Sequence, residues 1–130
     1  MSSPPIPVVF EPILKPKLWG GRKLSELFSK SLPAGERIGE SWELVQLPQD
    51  ESRVRDGPMA GKSVSQLAAE WGDGFLGGAA AIADGRLPLL VKFLDARQNL
   101  SVQVHPRPPS QNQDGLHPGV KHELWYVVDA

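Results

Sequence analysis

Three polar side chains alternate along one short segment of the sequence, Leu100–Pro106, which reads Leu-Ser-Val-Gln-Val-His-Pro. In an extended strand successive side chains point to opposite faces, so Ser101, Gln103 and His105 would share one face. Residues i and i+2 lie roughly 7 Å apart along a strand, which suits two ligands of one metal ion. We therefore take Gln103 and His105 as candidate metal ligands.

A carboxylate follows on a second strand-like run, as Glu123. An amide oxygen, an imidazole nitrogen and a carboxylate oxygen form a mixed donor set that is compatible with zinc. The chain contains no cysteine, so any metal must be held by ligands of these types. A lone histidine is more often a core or edge residue whose hydrogen bonds are satisfied. The nearby candidate ligands Gln103 and Glu123 favour a metal site for His105.

Two lysines accompany these candidate ligands. Lys92 lies within the run 87–95, which is nearly all apolar, as expected of a strand covered on both faces. A buried lysine there needs a carboxylate or a phosphate; the alternative is a strand-edge lysine whose head reaches water. Lys121 precedes Glu123 by two residues, so both would lie on one strand face. That pair is either a surface salt bridge of little energetic weight or a metal-binding carboxylate beside an ammonium that contacts substrate oxygens.

The elements that position these groups are predicted to be mainly strands. Thirteen prolines and thirteen glycines in 130 residues suit short strands and turns better than long helices. Alternation and apolar runs predict strands over residues 8–14, 37–45, 87–95, 100–105 and 122–128, and Trp19-Gly-Gly21 is predicted as a turn.

Helices are predicted to be short. Residues 23–28 carry apolar side chains at helical spacing. The clearest helix begins at Ser63, because Ser63 and Gln66 fit a capping box in which each side chain bonds the other's backbone amide. Val64, Leu67, Ala68 and Trp71 then form an apolar stripe that predicts one buried face.

The overall composition limits the classes of partner. A net charge of −1 offers no basic surface for nucleic acid and no polybasic patch for a membrane, although a small phosphate needs only two or three local cations. There is no apolar run of about 18 residues and no signal-type N-terminus, so we expect a cytoplasmic protein without a membrane span.

Several segments in order carry a family resemblance: Phe10-x-Pro-x-Leu-Lys15, Trp19-Gly-Gly21, Gly39-Glu-Ser-Trp-Glu43, residues 61–67, residues 88–96, the segment 100–106, and Lys121-x-Glu-x-Trp-Tyr126. Together they resemble the type I mannose-6-phosphate isomerases, which are zinc enzymes of the cupin superfamily. The resemblance implies a mainly β chain with short helices, in a cupin-like jelly-roll barrel that is incomplete at the C-terminus. Residues 1–130 would be the N-terminal part of the catalytic domain, with an entry region at 7–86 and the metal-site strands at 87–130.

The same resemblance implies roles for single residues. Gln103, His105 and Glu123 would bind Zn²⁺, and the pocket would be lined by Ser101, Lys92 and Lys121, with the two lysines also catalytic. The family's second histidine ligand and its arginine would lie beyond Ala130, so residues 1–130 alone are expected to bind zinc weakly and to be inactive. Position 122 departs from the family pattern, in which Thr or Pro is expected.

The implied activity is the interconversion of mannose 6-phosphate and fructose 6-phosphate, with a small sugar phosphate as the partner. One alternative is a cupin module that binds or senses a sugar phosphate without catalysis. A metal-dependent cupin oxygenase is weaker, because such sites generally present more histidines and only His105 is well placed here.

Overall fold

The computed structural model describes residues 5–77, 86–104 and 123–130. The chain divides into two units, Met1–Leu100 and Ser101–Ala130. The helices and strands assigned in the described residues all lie in the first unit. In chain order they are β1 Ile13–Gly21, α1 Lys23–Phe28, β2 Ile38–Leu44, α2 Val64–Trp71, α3 Asp73–Leu76 and β3 Val91–Leu94.

The three strands form one antiparallel sheet in the order β1, β2, β3, so β2 is the central strand. Lys15 pairs with Glu40, and Trp42 pairs with Lys92. Because paired residues and residues two apart share a side of a sheet, these four side chains lie on one face. We call this set, Lys15, Glu40, Trp42 and Lys92, the charged face.

Helix α1 contacts the opposite side of the sheet through its last residue. The ring of Phe28, the last residue of α1, lies 4.4 Å from the ring of Phe93 on β3, measured between centroids. Beyond the helix, the Lys30 ammonium donates to the Glu43 carboxylate at 2.9 Å. The ring contact joins α1 to β3, the ion pair joins the segment after α1 to β2, and the charged face lies on the other side of the sheet.

Two glycines allow β1 to approach β2 closely. A Cβ atom at Gly20 would lie 2.5 Å from the backbone nitrogen of Gly39, and one at Gly39 would lie 2.6 Å from the Trp19 ring. No side chain fits at such distances, so the pair of glycines is a steric requirement of the sheet. The predicted turn at Trp19-Gly-Gly21 is therefore wrong: these residues are the end of β1.

Asp95, directly after β3, joins three elements through its backbone and its side chain. Its backbone N–H donates to the Gly39 carbonyl at 2.9 Å, and its buried carboxylate accepts from the Lys23 amide at 2.6 Å. A Cβ at Gly21 would lie 2.6 Å from that carboxylate, so the glycine leaves the space that Asp95 fills. The end of β3 is thereby tied to β2 and to the start of α1.

Helix α2 is confirmed with its predicted capping box. The Gln66 amide donates to the Ser63 hydroxyl at 3.3 Å, and the Ser63 amide donates to the Gln66 side chain at 2.9 Å. Of the predicted stripe, Val64, Leu67 and Trp71 are buried and Ala68 is half-buried, and Leu67 and Trp71 pack with Val54 in a small apolar core. Local capping and one apolar face are therefore sufficient to define this helix.

Two of the predicted strands differ in extent from the observed ones. The first begins at Ile13 rather than residue 8, and Phe10 forms only an isolated bridge with Val54. The run 87–95 yields only β3, and Leu89 is 52% exposed. The expectation that this run is covered on both faces is therefore wrong, because its first half lies outside the sheet.

The described residues of the second unit form no strand. Val102 is 96% exposed and Val104 is 87% exposed, and large apolar side chains between 124 and 128 are exposed as well. The strands predicted over 100–105 and 122–128 are not found in the described residues 100–104 and 123–128, because no neighbouring strand pairs with them there. In the part of the chain that is described, no helix is long and apolar enough to cross a bilayer.

Substituting Ser63 by alanine is expected to lower the free energy of unfolding by about 1 kcal/mol, because the capped amide of Gln66 loses its acceptor. Urea denaturation measures the change. Ser25→Ala in α1 is the matched control, since the Ser25 hydroxyl makes no hydrogen bond in the described residues, and it should change stability by less than about 0.5 kcal/mol. Equal losses in both variants would contradict the capping role.

Candidate functional site

The predicted metal ligands are described only in part. Gln103 and Glu123 are exposed, whereas His105 and Lys121 lie outside the described residues. Among the residues that the structure does describe, no three His, Cys, Asp or Glu side chains come together to hold a metal ion. The metal site therefore stays a prediction.

The exposed side chain of Gln103 contacts Ser101. Its Nε2 donates to the Ser101 hydroxyl at 3.3 Å, so Ser101 and Gln103 lie on the same side of the chain as the alternation predicts. Because the amide nitrogen is directed to the serine, the amide oxygen Oε1 points elsewhere and can act as a hard donor. An oxygen donor of this kind, an imidazole and a carboxylate match the ligands that zinc accepts.

Lys92 has the carboxylate partner that its position in an apolar strand requires. Its Nζ lies 3.0 Å from Oε1 of Glu40 on the neighbouring strand. The lysine side chain is 26% exposed and the glutamate side chain 11% exposed, so the cation is the outer member of the pair. Of the two alternatives for Lys92, the structure shows the one in which the lysine has a carboxylate partner.

Both oxygens of the Glu40 carboxylate are engaged. Oε1 accepts from Lys92, and Oε2 accepts from the indole Nε1–H of Trp42 at 2.8 Å. Burial alone would raise the pKa of Glu40, but these two hydrogen bonds oppose it. The positive charges of Lys92 and Lys17 add to them, so the pKa of Glu40 lies below its ordinary value and the group is a carboxylate at neutral pH.

Trp42 is itself held in place from β1. The Lys15 ammonium lies 4.5 Å from the centre of the Trp42 ring, within the range of a cation–π contact. Lys15 also donates to Asp50 at 2.5 Å. A continuous series of polar contacts thus crosses all three strands, from Asp50 through Lys15 and Trp42 to Glu40 and Lys92.

Sequence reasoning did not single out Glu40, Lys15 or Asp50 as site residues. Glu40 entered only as part of the Gly39-Glu-Ser-Trp-Glu43 segment. A signal was present, because a lysine in an apolar strand requires an acid on an adjacent strand. Only the pairing of β2 with β3 identifies Glu40 as that acid, and the sequence alone does not give this pairing.

The chain matches proteins of known type over almost its whole length. Residues 9–123 match the family model of the catalytic domain of type I phosphomannose isomerase. The chain is 38% identical over 128 residues to the probable mannose-6-phosphate isomerase GmuF of Bacillus subtilis, an alignment that covers 95% of this chain and 38% of GmuF. It is 35% identical over 127 residues to the mannose-6-phosphate isomerase of Streptococcus mutans, covering 95% of this chain and 37% of that protein.

The fold is similar to a solved structure from the same group. The crystal structure of the mannose 6-phosphate isomerase from Bacillus subtilis aligns with a TM-score of 0.56 and 34% identity, over 69% of this chain and 27% of that one. The predicted fold class, a mainly β cupin-type chain with short helices, is confirmed, and the described sheet is open rather than closed into a barrel. The chain spans less than two fifths of the length of the curated relatives described above.

Replacing Glu40 by glutamine is expected to lower the free energy of unfolding at pH 7 by about 1–3 kcal/mol, because the partly buried ammonium of Lys92 loses its anionic partner. The effect should depend on pH. A glutamate pKa of about 4.3 in the unfolded chain exceeds the lowered pKa in the fold, so the carboxylate stabilises the protein above that pH. The difference between wild type and variant should shrink as the pH falls through the lowered pKa.

Urea denaturation at pH 7 and at steps down to pH 3 measures this difference. Glu70→Gln is the matched control, because it breaks the more exposed Lys62–Glu70 pair and should cost less than about 1 kcal/mol. A Glu40→Gln deficit that stays constant down to pH 3 would show that the Glu40 charge does not stabilise the fold.

Proposed function

Because this chain belongs to the type I phosphomannose isomerase family, we propose that the protein interconverts mannose 6-phosphate and fructose 6-phosphate. The match of the family's catalytic domain over residues 9–123 is the observation that carries the proposal. The relatives bear the name of this activity, and the identities of 35–38% extend over 95% of the chain. The proposed partner is accordingly a small sugar phosphate.

The reaction moves a proton between two neighbouring carbons of the open-chain sugar. In the aldose-to-ketose direction C2 loses a proton and C1 gains one, while the carbonyl moves from C1 to C2. Negative charge develops on the carbonyl oxygen as the first proton leaves, so the site needs positive charge or hydrogen-bond donors beside that oxygen. The phosphate of the substrate needs a cation of its own.

Gln103, His105 and Glu123 are the proposed zinc ligands. A bound Zn²⁺ would act as a Lewis acid that stabilises charge on the sugar oxygens. Support comes from the donor types, which zinc accepts, and from the Gln103 amide, whose nitrogen is used by Ser101 so that its oxygen can serve as ligand. His105 would bind as the neutral imidazole.

Lys92 is the proposed donor to a substrate oxygen. An ammonium has three N–H bonds, and Glu40 accepts one of them, so two remain for a substrate. The partial exposure of the lysine is compatible with access from solvent. Lys121 and Ser101 are proposed to contact the sugar phosphate as well, on the strength of the family resemblance.

We expect the purified protein with its natural termini to form fructose 6-phosphate from mannose 6-phosphate, to lose that activity on exhaustive treatment with a chelator, and to regain it with Zn²⁺. A coupled spectrophotometric assay follows the product. Full activity after complete metal removal would contradict the zinc role. Binding of mannose 6-phosphate without turnover would instead support a non-catalytic sugar-phosphate module.

A second prediction concerns the carboxylate ligand. Glu123→Gln should weaken zinc binding at least about tenfold, because the neutral amide replaces an anionic donor. Titration calorimetry with Zn²⁺ measures the affinity. Glu26→Gln, an exposed residue of α1, is the control and should bind zinc as the wild type does. Unchanged zinc affinity in Glu123→Gln would remove Glu123 from the ligand set.

A further inference from the structure

We infer that Glu40 is a positioning residue, which acts on the sugar phosphate through the ammonium of Lys92 and does not touch the substrate itself. The inference rests on the proposed function, in which Lys92 contacts the substrate. It starts from the relative depth of the two groups. The Glu40 side chain is 11% exposed and the Lys92 side chain 26% exposed, so the carboxylate lies behind the ammonium.

The arrangement presents a cation to solvent while its counter-charge stays inside. A ligand that approaches Lys92 therefore meets a positive group, and an anionic or oxygen-rich ligand is favoured. The pair differs in this respect from Lys62–Glu70, in which the lysine side chain is 37% exposed and the glutamate 30%, so that both charges reach water. Because Glu40 is the more buried member, the Lys92–Glu40 pair presents its positive group to solvent.

The carboxylate is held at both ends, which restricts where the ammonium can lie. Oε1 accepts from Lys92 at 3.0 Å and Oε2 accepts from the Trp42 indole at 2.8 Å. A lysine side chain has four flexible bonds and loses rotamer freedom when it is ordered, which opposes binding. Because Glu40 orders Lys92 before the substrate arrives, that loss does not oppose binding or catalysis.

Trp42 extends the constraint to β1. Its indole N–H holds Oε2 of Glu40, and its ring lies beneath the Lys15 ammonium at 4.5 Å. Lys15 is in turn bound to Asp50. The position of Lys92 on β3 is thus set by side chains from β1 and β2, and Glu40 is the group through which they act.

A double-mutant cycle on kcat/KM tests whether Glu40 acts through Lys92. Glu40→Gln should lower kcat/KM for mannose 6-phosphate by roughly 10- to 100-fold, the cost of displacing a substrate-contacting group by about 1 Å. Lys92→Gln, whose amide can still donate to Glu40, should lower it as well. The double variant should be no worse than Lys92→Gln within about twofold, because Glu40 has nothing left to position.

Losses that multiply in the double variant, or a Glu40→Gln enzyme as active as the wild type, would overturn the inference. A merely structural role for Glu40 would act through the fraction of folded enzyme, so kcat/KM is measured where circular dichroism shows every variant to be fully folded. Under those conditions a structural role would leave kcat/KM of Glu40→Gln at the wild-type value. Trp42→Phe serves as a second variant in case Glu40→Gln does not fold: it keeps the ion pair, removes the hydrogen bond to Oε2 of Glu40 and places a smaller ring beneath Lys15. It should lower kcat/KM by a smaller factor than Glu40→Gln, and circular dichroism checks that each variant is folded.

The proposed function and the positioning role fail in different ways. A wild-type protein that never forms fructose 6-phosphate contradicts the isomerase proposal. In that case the wild type, the two single variants Glu40→Gln and Lys92→Gln, and the double variant are compared by calorimetric binding of mannose 6-phosphate. If Glu40→Gln lowers the affinity of the wild type but not that of Lys92→Gln, the positioning role is still supported. An additive loss of affinity there would overturn it.

Discussion

The buried carboxylate of Glu40 is the group on which the geometry of the charged face depends. A carboxylate removed from water costs several kcal/mol unless its oxygens are bonded and its charge is balanced. Lys92 and Trp42 meet both conditions, each at one oxygen. Since strand side chains alternate, a slip of one residue between β2 and β3 would send Lys92 to the opposite face and leave the carboxylate without its cation. The ion pair therefore requires the observed register of β2 and β3.

The backbone of the same sheet depends on small residues in a comparable way. Gly20 and Gly39 bring β1 against β2 at a distance that no side chain allows, and Gly21 leaves the space that the Asp95 carboxylate occupies. These contacts determine where β1 ends, where α1 starts and where β3 stops. The charged face thus depends on the polar contacts among its own side chains and on close backbone packing at the end of the sheet.

Several predictions from the sequence alone are accurate, and the reason is that their signals are local. Helix α1, helix α2 with its capping box, and strand β2 follow from spacings of two to four residues. The errors come from non-local effects. Trp19-Gly-Gly21 has the composition of a turn, yet its glycines serve close strand packing. The run 87–95 is apolar throughout, yet only β3 has a partner strand.

The sequence by itself determined the family of the chain, the types of the candidate metal ligands and the need of Lys92 for an anionic partner. Only the tertiary structure decided which of the 15 acidic residues meets that need. Lys92 and Glu40 are 52 positions apart. The physical reason is that a short-range interaction such as an ion pair is chosen by strand pairing, and pairing is set by close packing and burial summed over the whole sheet.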